Sequence, residues 1–142
     1  RDPGLRSRGR VIIDTSALVA IFVQEAGHER LIEAVADAAA AAVAAPTLVE
    51  AGIVLSVRMR LDARPLLARF LHDFGIMVIP FGEDHWREAL DAFDRFGKGK
   101  HPASLNLGDC FSYAVASLAE QPLLCVGNDF RRTDLAVLPA SA

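Results

Sequence analysis

The feature that most constrains this chain is a short apolar run, Val11-Ile12-Ile13, that closes on Asp14 and passes at once into a helical segment through Thr15 and Ser16. Such a run reads as a buried strand, and Asp14 at its end is placed to cap the helix that follows. In a parallel α/β sheet, ligands bind outside the carboxyl ends of the strands, where successive turns bring their side chains to one crevice. An acid at that junction is therefore a candidate for chemistry as well as for capping.

The rest of the chain repeats the alternation. The expected order is a helix over Ser16–Gln24, a break at Gly27, and a stripe of Leu31, Ile32, Val35 and Ala36 up to Asp37. The alanine-rich stretch that follows suits helix by propensity, yet Ala42–Pro46 sits where a second buried strand fits, and strand is the assignment. Helices are expected over Thr47–Arg60 and Ala63–Phe74. Ile76–Pro80 reads as a strand. A helix whose apolar face is Trp86, Ala89, Leu90, Phe93 and Phe96 comes next, and Glu50 is expected to continue a packed stripe with Ile53, Val54 and Val57. A helix over Asn106–Ala119, a strand over Leu123–Val126 and a last short strand within Leu135–Leu138 complete the pattern. Strands alternating with helices imply one mostly parallel sheet covered on both faces.

At 142 residues and 52% hydrophobic content the chain has enough apolar material for one core. Residues 1–10 carry four arginines and are expected to form a flexible tail that need not be native, with one domain over residues 11–142. The longest apolar span is broken by Asp14, which argues against a membrane segment or signal peptide, and a soluble, cytoplasmic protein is expected. Cys110 and Cys125 lack metal-type spacing and read as buried free thiols, and the four histidines are scattered.

The net charge of −3 excludes a surface coated in positive charge, so any nucleic-acid contact needs a local basic patch. Arg95, Lys98, Lys100 and His101 supply one in a glycine-containing stretch that reads as a loop, although a merely solvated loop explains them equally well.

Three further acids occupy places like that of Asp14: Glu50 near a helix start, Asp109 in a first helical turn, and Asp129 just after a strand. Each also has a structural explanation. Thr47-Leu48-Val49-Glu50 matches a capping box, Asn106 can cap the helix carrying Asp109, and Asp129 can belong to a turn. If all four meet at one sheet edge, their repulsion raises pKa values and destabilises the fold unless a cation binds. Oxygen-only ligands select hard ions, Mg2+ or Mn2+, which suit phosphate substrates.

Four segments carry a family resemblance: VIIDTSALVAIF (Val11 to Phe22), APTLVEAGIVL (Ala45 to Leu55), FGKGKHPASLNLGDCFSYAVA (Phe96 to Ala116) and LLCVGNDFRRTDL (Leu123 to Leu135). In that order they resemble PIN-domain ribonucleases, and more narrowly the VapC-type toxins of bacterial toxin-antitoxin pairs. The resemblance implies a three-layer α/β/α sandwich around a parallel sheet. It also implies a metal-binding acidic set of Asp14, Glu50, Asp109 and Asp129, with Asp14 and Asp109 as the firmest ligands and Glu50 as a further ligand or a base. Ser16 and Asn128 are expected to hydrogen-bond these groups or the scissile phosphate, while Thr15 is expected at a helix start and Asp134 at a cap. The activity implied is metal-dependent cleavage of tRNA or ribosomal RNA by a homodimer, with inhibition by a cognate VapB-like antitoxin. Lys98, Lys100, Arg131 and Arg132 are the residues expected to meet RNA phosphates.

Three competing functions are compatible with parts of the same pattern. A phospho-acceptor domain is disfavoured because Asp14-Thr15-Ser16 lacks a second aspartate and no lysine follows the Leu123–Val126 strand. The second is a catalytically weak nucleic-acid or protein binding module, and the third is a nuclease acting on DNA.

Overall fold

The structure, a computed structural model, describes residues 9–140. Residues 1–8 of the expected tail lie outside the described residues, and Arg10, assigned to that tail, is instead the first residue of β1 (Arg10–Ile13). The elements that follow are α1 (Thr15–Val23), α2 (His28–Asp37), β2 (Ala40–Ala44), α3 (Ala45–Met59), α4 (Arg64–Asp73) and β3 (Met77–Ile79). Then come α5 (Glu83–Phe96), α6 (Leu107–Ala119), β4 (Leu123–Leu124), a 3-10 turn (Phe130–Arg132) and β5 (Val137–Leu138).

Among the described residues five strands form one sheet in the order β3-β2-β1-β4-β5, and every pairing is parallel. β1 is the centre: Ile12 is in register with Ala42 of β2 on one side and with Leu123 of β4 on the other. Because side chains alternate along a strand, β1 feeds both faces. Val11 and Ile13 pack with Leu18, Ile21, Leu31, Val35 and Phe70 on the α1/α2 side. Ile12 packs with Ala92, Phe96, Tyr113 and Leu123 on the α5/α6 side. The result is the expected three-layer α/β/α sandwich.

The alanine-rich stretch is a strand, two residues earlier than expected, because α3 begins at Ala45 with Pro46 in its first turn, where a missing N–H costs nothing. β3 is an edge strand, with Met77 and Val78 exposed. β4 is only two residues long, although Cys125 N–H still donates to Leu138 O at 3.0 Å, so the backbone ladder continues past it.

Two expected apolar faces are corrected. In α5 the packed side is Ala89, Ala92 and Phe96, while Trp86 and Leu90 stand out in solvent. In α3 the packed residues are Thr47, Ala51 and Leu55; Ile53 and Val57 are 62% and 73% exposed, so the stripe containing Glu50 does not face the core. Among the described residues no helix is long and apolar enough to cross a membrane.

Candidate active site

The strand order reverses between β1 and β4: the chain moves from β1 to one side of the sheet, and from β4 to the other. That reversal opens a crevice at the carboxyl ends of these two strands. Asp14 sits in it. Its N–H donates to Leu124 O at 2.9 Å, which joins the ends of β1 and β4, and its extended backbone makes it the N-cap of α1.

The Asp14 carboxylate is buried, with 3% exposure, and both oxygens are engaged. Oδ2 accepts from Ser16 N–H at 3.0 Å and from the Ser16 hydroxyl at 2.6 Å, as expected for Ser16. The Ser16 Oγ in turn accepts from Val126 N–H at 3.0 Å, so one hydroxyl ties the segment after β4 to the acid after β1. Oδ1 accepts from the hydroxyl of Ser112 on α6 at 2.6 Å. Thr47 Oγ1 lies 3.4 Å from Ser112 Oγ. Since Ser112 has one hydroxyl proton and gives it to Asp14, Thr47 is the donor of that pair. Burying a carboxylate is costly without such donors, and three hydroxyls from three helices supply them directly or in relay.

Sequence reasoning missed Ser112 and misread Thr47. The N-cap of α3 is Ala44, which has no side-chain oxygen, and Thr47 is buried inside the helix, so the expected Thr47–Glu50 capping box does not form. The signal available for Ser112 was its spacing: three residues after Asp109 on a helix, it shares that residue's face.

Glu50 is half-buried and is held from another direction. The hydroxyl of Thr15, the first residue of α1, donates to Glu50 Oε1. The same carboxylate lies against the backbone of Gly108 in the first turn of α6, in the space that a Cβ at position 108 would occupy.

Asp109 forms a reciprocal capping box with Asn106. Asn106 N–H donates to Asp109 Oδ2 at 3.0 Å, and Asp109 N–H donates to Asn106 Oδ1 at 2.9 Å. Burial, joined by the charges of Asp14, Asp129 and Glu50, overrides that stabilising bond and pushes the Asp109 carboxyl up to about 6. The four acids therefore share one electrostatic address. Asp129 is exposed at the head of the 3-10 turn, and its side chain makes no capping bond there. Asn128, beside it, is also exposed, and its carbonyl accepts from Arg131 N–H at 3.2 Å.

Among the described residues none of these four carboxylates forms an ion pair with a Lys, Arg or His side chain. Nor, among the described residues, do three acidic, His or Cys side chains gather closely enough to ligate one ion as they are placed. Asp14, Glu50 and Asp109 are each turned toward their own donors. The donor chemistry nevertheless fits a hard divalent cation, since the set is all oxygen and no ion pair among the described residues neutralises its charge.

The expected basic residues divide. Lys98 is exposed in the loop after α5. Lys100 pairs with Asp94 at 3.2 Å and lies over the Phe93 ring. Arg131 Nη2 donates to Pro139 O at 2.6 Å, and Arg132 Nη1 to Pro102 O at 3.1 Å. Asp134 is not a cap: its carboxylate accepts from the Tyr113 hydroxyl at 2.6 Å and from Arg95 at 3.1 Å. Burial opposes its ionisation, but the bonds from Tyr113 and Arg95 together outweigh it and hold the carboxyl below its usual range. Burial pushes the thiols of Cys110 and Cys125 up to about 11 and about 12, so both are inert at neutral pH.

A PIN domain family model matches residues 11–135, and the chain belongs to the PIN domain family. Within that family its relatives are VapC ribonucleases, in line with the resemblance carried by the four sequence segments. The chain is 45% identical over 126 residues to Ribonuclease VapC36 of Mycobacterium tuberculosis, covering 88% of this chain and 91% of that relative. It is 41% identical over 128 residues to Ribonuclease VapC of Mycolicibacterium smegmatis, covering 90% and 99%. Among solved structures, Mycobacterium tuberculosis VapC20, described as a sarcin-ricin loop cleaving toxin, superposes with a TM-score of 0.73 at 17% identity over 89% of this chain and 96% of that one. VapBC2 from Rickettsia felis, bound to a DNA fragment from its promoter, gives 0.69 at 16% identity over 90% and 96%. At such identities these two likenesses speak for the fold.

Proposed function

We propose that this protein is a metal-dependent endoribonuclease toxin that hydrolyses RNA phosphodiester bonds and is held inactive by a cognate VapB-like antitoxin. The observation that carries the reading is the gathering of Asp14, Glu50, Asp109 and Asp129 at the β1/β4 crevice with no ion pair to them among the described residues, where burial, with the neighbouring charges added, pushes Asp109 up to about 6. A fold accepts such a cost where a cation is to bind. The naming of relatives above 40% identity as ribonucleases supports the reaction class, and the toxin-antitoxin complexes among the structural neighbours support the antitoxin.

In this reading Asp14 and Asp109 hold Mg2+ or Mn2+, with Glu50 and Asp129 completing the set directly or through water. A divalent ion there supplies a water of lowered pKa and charge stabilisation at the phosphate. The chain's own residues do the positioning. Ser16 and Ser112 fix the plane of the Asp14 carboxylate, and Thr15 fixes Glu50 at the Gly108 backbone, where it completes the site or accepts a proton. The capping box with Asn106 fixes Asp109 at the start of α6, and Asn128 reaches the scissile phosphate or its neighbours. Lys98, Lys100, Arg131 and Arg132 hold the RNA backbone of tRNA or ribosomal RNA, and two copies of the chain form the groove.

The test is cleavage of total tRNA and of ribosomal RNA by antitoxin-free protein with Mg2+ or Mn2+, beside an EDTA control and Asp14→Asn. Discrete fragments that vanish in both controls support the reading. Cleavage that survives Asp14→Asn rejects it, and absent cleavage together with absent Mn2+ binding favours a catalytically weak binding module.

A further inference from the structure

A cavity of about 400 Å3 opens at the same sheet edge as the acids, on the far side of the segment that follows β4. Its lining includes Gly127 and Asn128 from that segment, Gly27 and Arg30 from the start of α2, and Arg131 from the 3-10 turn. Among the described residues no acidic side chain lines it. The wall it shares with the acidic crevice is short: Val126 N–H bonds Ser16, which holds Asp14, and Asp129 follows Asn128 directly.

Three properties of this cavity point the same way. Its volume lies within the range of small-ligand pockets, which suits one unit of a polymer and not a folded partner. Gly27 and Gly127 are both in the left-handed region, at φ 88° and 93°, with no described atom within 4 Å of where a Cβ would stand, so the cavity wall there is open backbone. The two arginines differ in how they are held. Arg131 is braced by its bond to Pro139 O. The side chain of Arg30 makes no hydrogen bond or ion pair among the described residues, so its charge is available to an incoming anion.

An electropositive cavity beside an electronegative crevice matches a polyanion whose scissile phosphate sits at a metal. The acids repel every neighbouring phosphate, and a fixed guanidinium one residue along the strand offsets that repulsion. We propose that the cavity between α2 and the segment after β4 receives the nucleotide flanking the scissile phosphate of an RNA strand, with Arg30 and Arg131 on its phosphate. This rests on the ribonuclease reading above.

The test compares wild type with Arg30→Gln, Arg30→Lys and a control, Arg10→Gln, in which the exposed first residue of β1 lies at the opposite, amino end of the strands. Binding of a fluorescein-labelled single-stranded RNA is read by anisotropy in EDTA across a salt series, and kcat and KM are measured on labelled tRNA with Mn2+. The expected result is affinity about tenfold weaker for Arg30→Gln, the size of one lost charge-assisted bond. The log–log salt slope falls by about one, and KM rises while kcat and Mn2+ affinity stay unchanged. Arg30→Lys recovers part of the loss, and Arg10→Gln changes neither binding nor KM. If wild type binds and cuts RNA but Arg30→Gln matches it, or Arg10→Gln weakens binding as much, the subsite is overturned and the ribonuclease reading stands. If wild type neither binds nor cuts RNA, both fall.

Discussion

The hydroxyl of Ser112 donates to Oδ1 of Asp14 at 2.6 Å, although the two residues are 98 positions apart in the chain. The contact ties α6 to the end of β1, and through it the position of Asp109 to that of Asp14. Both groups are almost fully excluded from water. Replacing Ser112 by Ala strips one buried oxygen of a carboxylate of its donor, and a bond to a charged group contributes about 1.5–3 kcal/mol. The expected outcome for Ser112→Ala is a stability loss of that order in urea unfolding, with weaker Mn2+ binding by calorimetry. Unchanged stability would mean that water replaces the hydroxyl.

Gly108 separates activity from stability. A methyl group at this position takes the space of the Glu50 carboxylate, but Glu50 is half-exposed and its side chain can swing outward. Alanine is also the better helix former by about 1 kcal/mol. Gly108→Ala is expected to unfold within about 1 kcal/mol of wild type while cleaving RNA at least about tenfold more slowly, through loss of a positioned carboxylate. Full activity in this variant would remove Glu50 from the reaction.

Thr15 tests the same carboxylate from the other side. Thr15→Val keeps the shape and removes the hydroxyl that Glu50 accepts from, whereas Thr15→Ser keeps the donor. Cleavage is expected to fall in the valine variant and to be retained in the serine variant. Equal rates for the two would show that the contact has no part in orienting Glu50.

Asp109 sets a pH dependence whose sign follows from its shift. Unfolded, it titrates near 3.8; folded, burial and the neighbouring acids raise it to about 6. Between those values the native state keeps a proton that the unfolded chain has lost, so this group's contribution to stability falls as pH rises through the window, and its full cost is present above about 6. In metal-free protein, the stability of wild type relative to Asp109→Asn is expected to decline from about pH 4 to about pH 6.5 and then level off. Thermal unfolding of both proteins across that range measures it, and a difference that rises with pH would contradict the shift.

The fold was readable where the determinants are local. The apolar run before Asp14, the Asn106 cap and the Gly27 break each depend on residues a few positions apart, and each forms where expected. The orientation of α3 was not readable. Val49, Ile53 and Val57 are as apolar as a core stripe, yet the small residues Thr47 and Ala51, with Leu55, are the ones that pack. The packed side of α3 is set by its approach to α1 and α6, where Leu55 meets Val19 and Thr47 meets Ser112, and this depends on neighbours that periodicity does not contain. Likewise the four acids were identifiable from their places after strands and at helix starts. Their hydroxyl partners were only partly so: Ser16 lies two residues from Asp14, while Ser112 and Thr47 reach it across the sandwich.

The position of β4 beside β1 also governs when the centre can exist during synthesis. β1 is the first strand made, but β4, its neighbour on the far side from β2, and the Val126 N–H that bonds Ser16 beside Asp14, come more than a hundred residues later. Contacts at such separation form late, because the loop they close must be ordered first. A chain still emerging from the ribosome therefore carries Asp14, Glu50 and Asp109 without the strand that brings them into register. In the proposed toxin, the acidic centre is therefore not assembled until the segment through Asp129 has emerged and inserted.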